Sequence, residues 1–334
     1  MKIILVLILM LISSTFNSNT LKSSYSLLLD DIREDVIDTA LLNLPKRGSV
    51  DILKMYLLMA EEKEKNSLND AESAFLVYKW IAQNIKINCY YMYKKEQSDL
   101  EIYKSGEGYP SSISSLFNSM CAYMNIESDS ISGYYKTHNL SEYYLQYTEF
   151  THTYNYIIIS NKTYLVDPTL GIGYCDDCYY HKSYSDFYFG TKPDFLIKSH
   201  FPKYDNFQLL DDRITKAQWS SLVFIRPLFY LIGMKSITPE SGRINLNQVK
   251  KIVINYDALN NDLHIIEVQI IYPTGGKTFL QDITRKNGVL ELSLENWYRI
   301  DGYIPVRIEI YNRQQNDPFR NTNNLLVYYQ TYLL

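Results

Sequence analysis

At 334 residues, this chain is long enough for two folded domains, or for one domain with a substantial appendage. Its 46% hydrophobic and 21% charged residues are typical of a protein that builds real apolar cores. The net charge of −4 gives no electrostatic basis for binding nucleic acid or an anionic membrane, so neither partner is expected.

The N-terminal segment, residues 1–20, has the pattern of a secretory signal peptide. Lys2 supplies a positive end, and residues 3–12 form an apolar run that is too short to span a bilayer. No later segment is apolar over a longer stretch. We therefore expect a secreted or secretory-lumen protein without a membrane span. Glycosylation sequons at Asn139 and Asn161 are compatible with that route.

The chain has four cysteines, Cys89, Cys121, Cys175 and Cys178, which permit two disulfides in an oxidising compartment. Their pairing is left open. Cys175 and Cys178 also have half the spacing of a zinc site, but no second pair has that spacing and only His181 lies nearby. A local disulfide between these two, or two free thiols, is favoured over a metal module. We expect no metal and no other cofactor.

The first elements after the signal are helical. Residues 21–66 have a helical texture, with Ser49 predicted to cap a helix that ends in a charged run. Asn69 followed by Glu72 resembles a capping box at the start of the best-defined helix. On that helix Trp80 is predicted to be a packing residue.

A second buried helix is predicted to begin at Pro110, after a surface loop over residues 88–107. Proline suits the first helical position, and an apolar stripe follows it: Ile113, Leu116, Phe117, Met120 and Met124. A helix N-terminus is a natural place for a thiolate or an oxyanion. Here it holds Pro110 and a serine cluster, with no cysteine.

Alternating β-type residues come next. A strand is predicted over residues 130–135, and a hairpin over residues 151–167 with its turn at residues 160–162. His152 lies early in the first strand of that hairpin, and Asp167 ends the second.

The rest of the chain divides near residues 239–242. Before this point, residues 172–235 are irregular and aromatic, and after it six short strands predict a β-sandwich: 251–256, 264–272, 278–282, 289–294, 305–311 and 325–332. The predicted organisation is therefore a signal peptide, a helical segment, a central α+β domain and a β-sandwich: residues 1–20, 21–66, 67–238 and 243–334.

The order of helix N-terminus, strand histidine and strand-ending aspartate is that of a papain-like cysteine triad. Residues from about 66 to 235 resemble the transglutaminase-like domain, in particular its kyphoscoliosis-peptidase-like branch. The family pattern Gly-X-Cys-Ser-Gly-Tyr-Ser-X-Leu-Phe is similar to residues 108–117, its His-Ala-Trp-Asn strand to residues 152–155, and its Val-Asp-Pro-Thr-Trp-Gly motif to residues 166–171. The resemblance implies an α+β fold with a papain-like core, an antiparallel sheet and a β-rich C-terminal part.

The chain departs from the family at the active site. Pro110 occupies the position of the nucleophilic cysteine, Ser112 and Ile113 replace a glycine and a tyrosine, and Leu170 replaces a tryptophan. Without a thiolate, the dyad of His152 and Asp167 has nothing to deprotonate, and covalent acyl transfer is not available.

Two functional hypotheses follow. The first is a secreted, catalytically silent member of the family that acts as a binding or structural module for a protein or peptide partner. The second is an active acyltransferase or hydrolase that uses Ser111 with His152 and Asp167. One residue turns a helical side chain by about 100°, so Ser111 should miss His152. Cys121, three turns along the helix, is interpreted as a core residue.

Overall fold

The computed structural model describes residues 22, 24–90, 97–136, 152–176, 178–257, 265–271, 277–280, 282–295, 307–313 and 325–332. The predicted signal peptide, the sequon at Asn139 and a predicted turn at residues 273–276 lie outside these residues. Among the described residues, no helix has both the length and the apolar character needed to cross a membrane.

The described residues of the N-terminal half are mainly helical, and five α-helices among them precede the central sheet: α1 (Glu34–Asn43), α2 (Ile52–Lys65), α3 (Asp70–Asn84), α4 (Asp99–Ser105) and α5 (Pro110–Tyr123). Two short parallel strands, β1 (Lys86–Ile87) and β2 (Glu107–Gly108), lie between them. Helix α3 begins with the predicted capping box, in which Asn69 and Glu72 satisfy each other's backbone donors.

Two details of this half differ from the sequence prediction. Helix α2 is capped by Asp51, whose side chain accepts a hydrogen bond from the Lys54 N–H, and not by Ser49. The segment predicted as a surface loop contains helix α4, because Ser98 and Glu101 form a second capping box and Gly106 ends the helix at a φ of 75°.

Helix α5 begins at Pro110, as predicted, and its apolar stripe is fully buried. It packs against an antiparallel sheet of four strands in the order β5-β4-β3-β8. These strands are β3 (Glu127–Tyr135), β4 (His152–Ile159), β5 (Lys162–Val166) and β8 (His200–Pro202). The β4–β5 turn places Ser160 and Asn161 at positive φ, as a two-residue hairpin requires.

The segment after β5 is irregular and consists of short elements. It contains helix α6 (Pro168–Ile172), the hairpin of β6 (Gly173–Asp176) and β7 (Tyr179–Lys182), and helices α7 (Pro193–Leu196), α8 (Lys216–Ser221) and α9 (Pro227–Leu231). A disulfide joins Cys89 to Cys175, whereas Cys178 is exposed with a free thiol. Neither favoured alternative for Cys175 and Cys178, a local disulfide or two free thiols, is found, because Cys175 lies next to the end of β1 and pairs with Cys89.

Two sheets make up the C-terminal part. Its strands are β9 (Phe224–Ile225), β10 (Met234–Thr238), β11 (Arg243–Asn245), β12 (Lys251–Tyr256), β13 (Ile265–Ile271), β14 (Lys277–Phe279), β15 (Ile283–Lys286), β16 (Val289–Ser293), β17 (Arg307–Arg313) and β18 (Leu325–Tyr332). One sheet has the order β10-β12-β16-β15. The other has the order β11-β18-β17-β13-β14, with β9 also paired to β18.

The observed architecture confirms the α+β fold class, and the two C-terminal sheets are consistent with the predicted β-sandwich. Strands β9 and β10 already belong to these sheets although they precede the expected boundary at residues 239–242. Each supplies only two buried apolar residues, too few to give a period-2 signal in the sequence.

Candidate functional site

The start of helix α5 is the first part of the candidate site. Pro110 is the first helical residue, and its ring offers no atom that could act as a nucleophile. Ser111 is exposed, whereas Ser112 and Ser114 are buried. The Ser114 hydroxyl lies 2.7 Å from that of Ser130 on β3, so it anchors the helix to the sheet.

His152 and Asp167, predicted to form a dyad, lie together in the structure. His152 is the first residue of β4, and Asp167 directly follows β5, the strand hydrogen-bonded to β4. Their side chains are joined by a contact of 2.5 Å between His152 Nε2 and Asp167 Oδ2. Both residues are buried. Neighbouring strands of one hairpin thus bring together the base and the carboxylate of the expected arrangement.

A second histidine, His200, contacts the same carboxylate oxygen. Its Nε2 lies 3.0 Å from Asp167 Oδ2. His200 opens β8, which pairs with β3 so that His200 stands opposite Tyr135. Gly133 makes this pairing possible, because a Cβ there would lie 2.4 Å from the Phe201 carbonyl oxygen.

Sequence reasoning missed His200 as a site residue. It lies 33 residues after Asp167, in a three-residue strand whose other two members are apolar. The signal that the sequence offered was a histidine followed by two apolar residues. A buried histidine needs hydrogen-bond partners, but the sequence does not show that Asp167 is one of them.

In the cluster of His152, Asp167 and His200, burial and hydrogen bonding have opposite effects on the pKa values of Asp167 and His200. Burial alone would raise the pKa of Asp167, but charge interactions and hydrogen bonds with the two imidazoles hold that pKa well below its usual range. The Leu170 N–H also donates to Asp167 Oδ1 at 2.9 Å. Burial lowers the pKa of His200, which its hydrogen bond to Asp167 only partly offsets. The site therefore combines an ionised carboxylate with a neutral His200 near pH 7.

Aromatic rings surround the two imidazoles. Tyr135 lies 5.3 Å from His152 and 5.1 Å from His200, between ring centroids. Tyr154 and Tyr188 stand edge-on to His200, at 5.1 Å and 6.2 Å. These three side chains hold the imidazoles in place and limit the access of water to the carboxylate.

A polar network under helix α5 ties the helix to strand β4. The Asn155 amide, fully buried, donates to the Ser114 carbonyl at 3.1 Å and to Asn118 Oδ1 at 2.8 Å. Asn118 in turn donates to the Ser130 hydroxyl at 3.0 Å. The helix start and the first strand of the dyad hairpin are therefore held in a fixed relation.

Gly171 in helix α6 has a packing role. A Cβ at this position would meet the Tyr78 hydroxyl at 1.9 Å, and that hydroxyl donates to the Ser185 carbonyl. The glycine of the aspartate motif thus lets α3 approach the helix that Asp167 caps.

Among the residues that the structure describes, this cluster has a base and a carboxylate but no nucleophile bonded to the base. In the described part of the chain, the one side-chain hydrogen-bond partner of His152 is Asp167. Ser111 faces solvent and does not bond to His152. Cys121 is fully buried, and burial raises the pKa of its thiol, so it stays protonated. Cys175 is held in the disulfide with Cys89.

Comparison with known proteins points to the same family as the sequence motifs. The family model of the transglutaminase-like superfamily matches residues 59–167, a segment that includes Pro110, His152 and Asp167 and ends before His200. The chain is 26% identical over 181 residues to the kyphoscoliosis peptidase of Mus musculus, covering 53% of this chain and 27% of that protein. The Homo sapiens kyphoscoliosis peptidase is 27% identical over 180 residues, covering 52% and 27%.

A third relative is cytokinesis protein 3 of Schizosaccharomyces pombe, 20% identical over 176 residues, covering 52% of this chain and 20% of that protein. The match thus spans about a quarter of each kyphoscoliosis peptidase and a fifth of the yeast protein. These comparisons identify a transglutaminase-like domain in this chain and show that the chain is similar to the kyphoscoliosis peptidases.

Proposed function

We propose that this chain is a secreted member of the family that has lost covalent catalysis and works as a binding or structural module. The observation that carries the proposal is Pro110 at the first position of helix α5, where the cysteine of the related motif would stand. Members of a catalytic triad act as a unit, so removing the nucleophile costs orders of magnitude in rate.

The surroundings of the dyad support the same conclusion. His152 is held by Asp167 and by its aromatic neighbours, and no thiol or hydroxyl bonds to it in the described residues. A rigid histidine and carboxylate pair that lacks a nucleophile still stabilises the hairpin. The partner in this proposal is a protein or peptide, the class of molecule on which a peptidase acts.

Localisation is part of the proposal. Support comes from the apolar N-terminal run and from the disulfide between Cys89 and Cys175, since disulfides persist in oxidising compartments. The test is expression of the full chain in cultured secretory cells. Recovery in the medium, with an N-terminus beyond residue 20, supports secretion. Retention in the cell with the N-terminus intact contradicts it.

The test of catalytic inactivity uses the mature protein with amine donors, glutamine-containing peptides and a fluorophosphonate probe. We expect no turnover and no labelling. Turnover that disappears on His152→Ala would overturn the proposal. Probe labelling that disappears on Ser111→Ala, with Ser115→Ala as the matched exposed control on the same helix, would instead establish the serine enzyme.

A further inference from the structure

Three ligand-type atoms converge in the core of the sheet: His152 Nε2, His200 Nε2 and a carboxylate oxygen of Asp167. All lie within 4.8 Å of one another, and all three residues are buried. Two imidazoles and one carboxylate suit borderline divalent ions such as Zn²⁺, whereas Mg²⁺ and Ca²⁺ prefer sets of oxygen ligands. We propose that His152, Asp167 and His200 bind one divalent transition-metal ion of the Zn²⁺ class.

The distances require only a small adjustment. Ligand bonds of about 2.0–2.2 Å in a tetrahedral zinc site place neighbouring ligand atoms about 3.3 Å apart. The two imidazole nitrogens now lie 2.5 Å and 3.0 Å from Asp167 Oδ2. An ion between them therefore has to open these two contacts by less than about 1 Å. It also has to bring the two nitrogens, which lie within 4.8 Å of each other, to about 3.3 Å.

Metal binding requires the proton of each imidazole to move from one ring nitrogen to the other. In the apo site, each Nε2 lies within hydrogen-bond distance of the carboxylate, and metal ligation needs a lone pair on that nitrogen. The proton of each ring then resides on Nδ1. For His200, Nδ1 lies 2.8 Å from the Ser199 hydroxyl, which can accept it. The change is one of tautomer in both rings, and two N–H···O bonds are exchanged for three metal–ligand bonds.

The substitution at Pro110 is what frees His152 for this role. In a cysteine triad, one imidazole nitrogen exchanges a proton with the thiol, so the other must keep its hydrogen bond to the carboxylate. With a proline at the helix start, that constraint on the tautomer is gone. Among the residues described by the structure, none bonds to the second nitrogen of His152.

The neighbours of the cluster resemble the outer shell of a metal site. A ligating histidine usually donates its other N–H to a hydroxyl, carbonyl or carboxylate, which fixes the ring. Ser199 provides this contact for His200. Tyr135 and Tyr154 pack against both imidazoles and restrict their rotation. This inference goes beyond the proposed function, and it holds whether or not the chain is catalytically silent.

The experiment uses the full mature chain, stripped with a chelator and free of any affinity tag. Titration with Co²⁺, read by visible absorption, should saturate at one ion per chain with the spectrum of a low-coordinate site. Elemental analysis after gel filtration in Zn²⁺ should give the same stoichiometry, and Zn²⁺ should raise the unfolding temperature.

Single substitutions test which residues bind the ion. His152→Gln and His200→Gln keep a hydrogen-bond donor for Asp167 but remove a metal ligand. Changes to residues that only support a ligand weaken binding by up to about 100-fold, so each of these variants should weaken Co²⁺ binding by more than that. Ser199→Ala should weaken it by about tenfold. His181→Ala, in the β6–β7 hairpin, is the matched control and should change the affinity less than about twofold.

Three outcomes would overturn the proposal. One is the absence of a stoichiometric ion at any tested concentration below the millimolar range. Another is an unchanged affinity in both His152→Gln and His200→Gln, once circular dichroism shows that they fold. The third is loss of binding in His181→Ala or Cys178→Ser, which would place the ion on the exposed hairpin.

Discussion

A single residue decides whether the helix start can hold a reactive thiol. Pro110→Cys should create one, since the N-terminus of α5 favours a thiolate and, in a triad of this order, the imidazole does so too. We expect alkylation by iodoacetamide with an apparent pKa below about 7.5, against about 8.5 for a free cysteine. The rate of alkylation as a function of pH measures it.

The matched control is Ser111→Cys, one position along the same helix. Its side chain faces solvent, so its thiol should react with the pH dependence of an ordinary exposed cysteine. Identical pH profiles for the two variants would contradict the idea that the helix start retains the geometry of a nucleophile site.

Asp167 is the second decisive residue. Its pKa is lower in the folded than in the unfolded state, so it contributes stability above its unfolded pKa of about 3.9 that is lost as the pH falls through the folded value. Asp167→Asn removes that contribution. We expect a loss of about 2–3 kcal/mol in the free energy of unfolding at pH 7, because three hydrogen bonds converge on this carboxylate.

Urea unfolding at pH 7 and pH 3.5 measures the effect. The difference between the wild-type protein and Asp167→Asn should shrink at the lower pH. Asp38→Asn is the control, because its ion pair with Lys79 lies at an exposed carboxylate and should contribute no more than about 1 kcal/mol. A difference independent of pH would show that Asp167 acts through shape and not through charge.

At the scale of elements, the covalent link between Cys89 and Cys175 joins the end of β1 to the β6–β7 hairpin. It closes a segment of 86 residues, and a loop of that length lowers the entropy of the unfolded chain. The double variant Cys89→Ser/Cys175→Ser should lose about 2–5 kcal/mol in the free energy of unfolding. Chemical denaturation without reductant measures this.

The remaining cysteines provide the control. Cys178→Ser should leave stability unchanged within about 0.5 kcal/mol, because its thiol is exposed and free. In the native, unreduced protein, maleimide should label Cys178 and leave the buried Cys121 unlabelled. Labelling of Cys89 or Cys175 under these conditions would contradict the observed pairing.

The helices and hairpin around the site could be predicted from the sequence because their signals are local. Asn69 and Glu72 form a capping box within four residues, and Pro110 precedes a stripe of apolar residues at helical spacing. Helix α4 was missed because it is only seven residues long, and its capping box at Ser98 was not recognised.

Features that depend on long-range contact could not be predicted in the same way. The pairing of Cys89 with Cys175 and the contact of His200 with Asp167 join positions 86 and 33 residues apart. Neither pair follows from spacing, since both depend on which strands become neighbours. Only the sheet order β5-β4-β3-β8 brings His200 to the carboxylate.

At the scale of the whole molecule, Lys136 joins the end of β3 to the segment that leads into the C-terminal sheets. Its ammonium group is buried, donates to the carbonyls of Trp219 and Leu222, and lies 4.8 Å from the Trp219 ring centroid. Burial lowers its pKa to about 7, and the positive charge of Lys198 adds to the effect.

This position predicts a pH dependence of stability with a definite sign. Between pH 7 and about 10.4 the unfolded chain binds a proton at Lys136 that the folded chain does not, so its contribution to stability rises with pH. The slope is at most about 1.4 kcal/mol per pH unit. The resulting gain in stability is complete above the unfolded pKa of about 10.4 and is lost as the pH falls to about 7.

Lys136→Met should abolish that rise, because methionine fills a similar volume and does not titrate. The measurement is the free energy of unfolding of both proteins at pH 7, 8 and 9, taken as a difference so that titration of the many tyrosines cancels. The control is Lys216→Met, which removes a half-buried lysine whose ammonium group lies 3.8 Å from the Tyr134 ring centroid. Parallel curves for the wild-type protein and Lys136→Met would show that this lysine stays protonated in the fold. The junction between the two parts of the chain would then rest on a buried charge held by carbonyl groups.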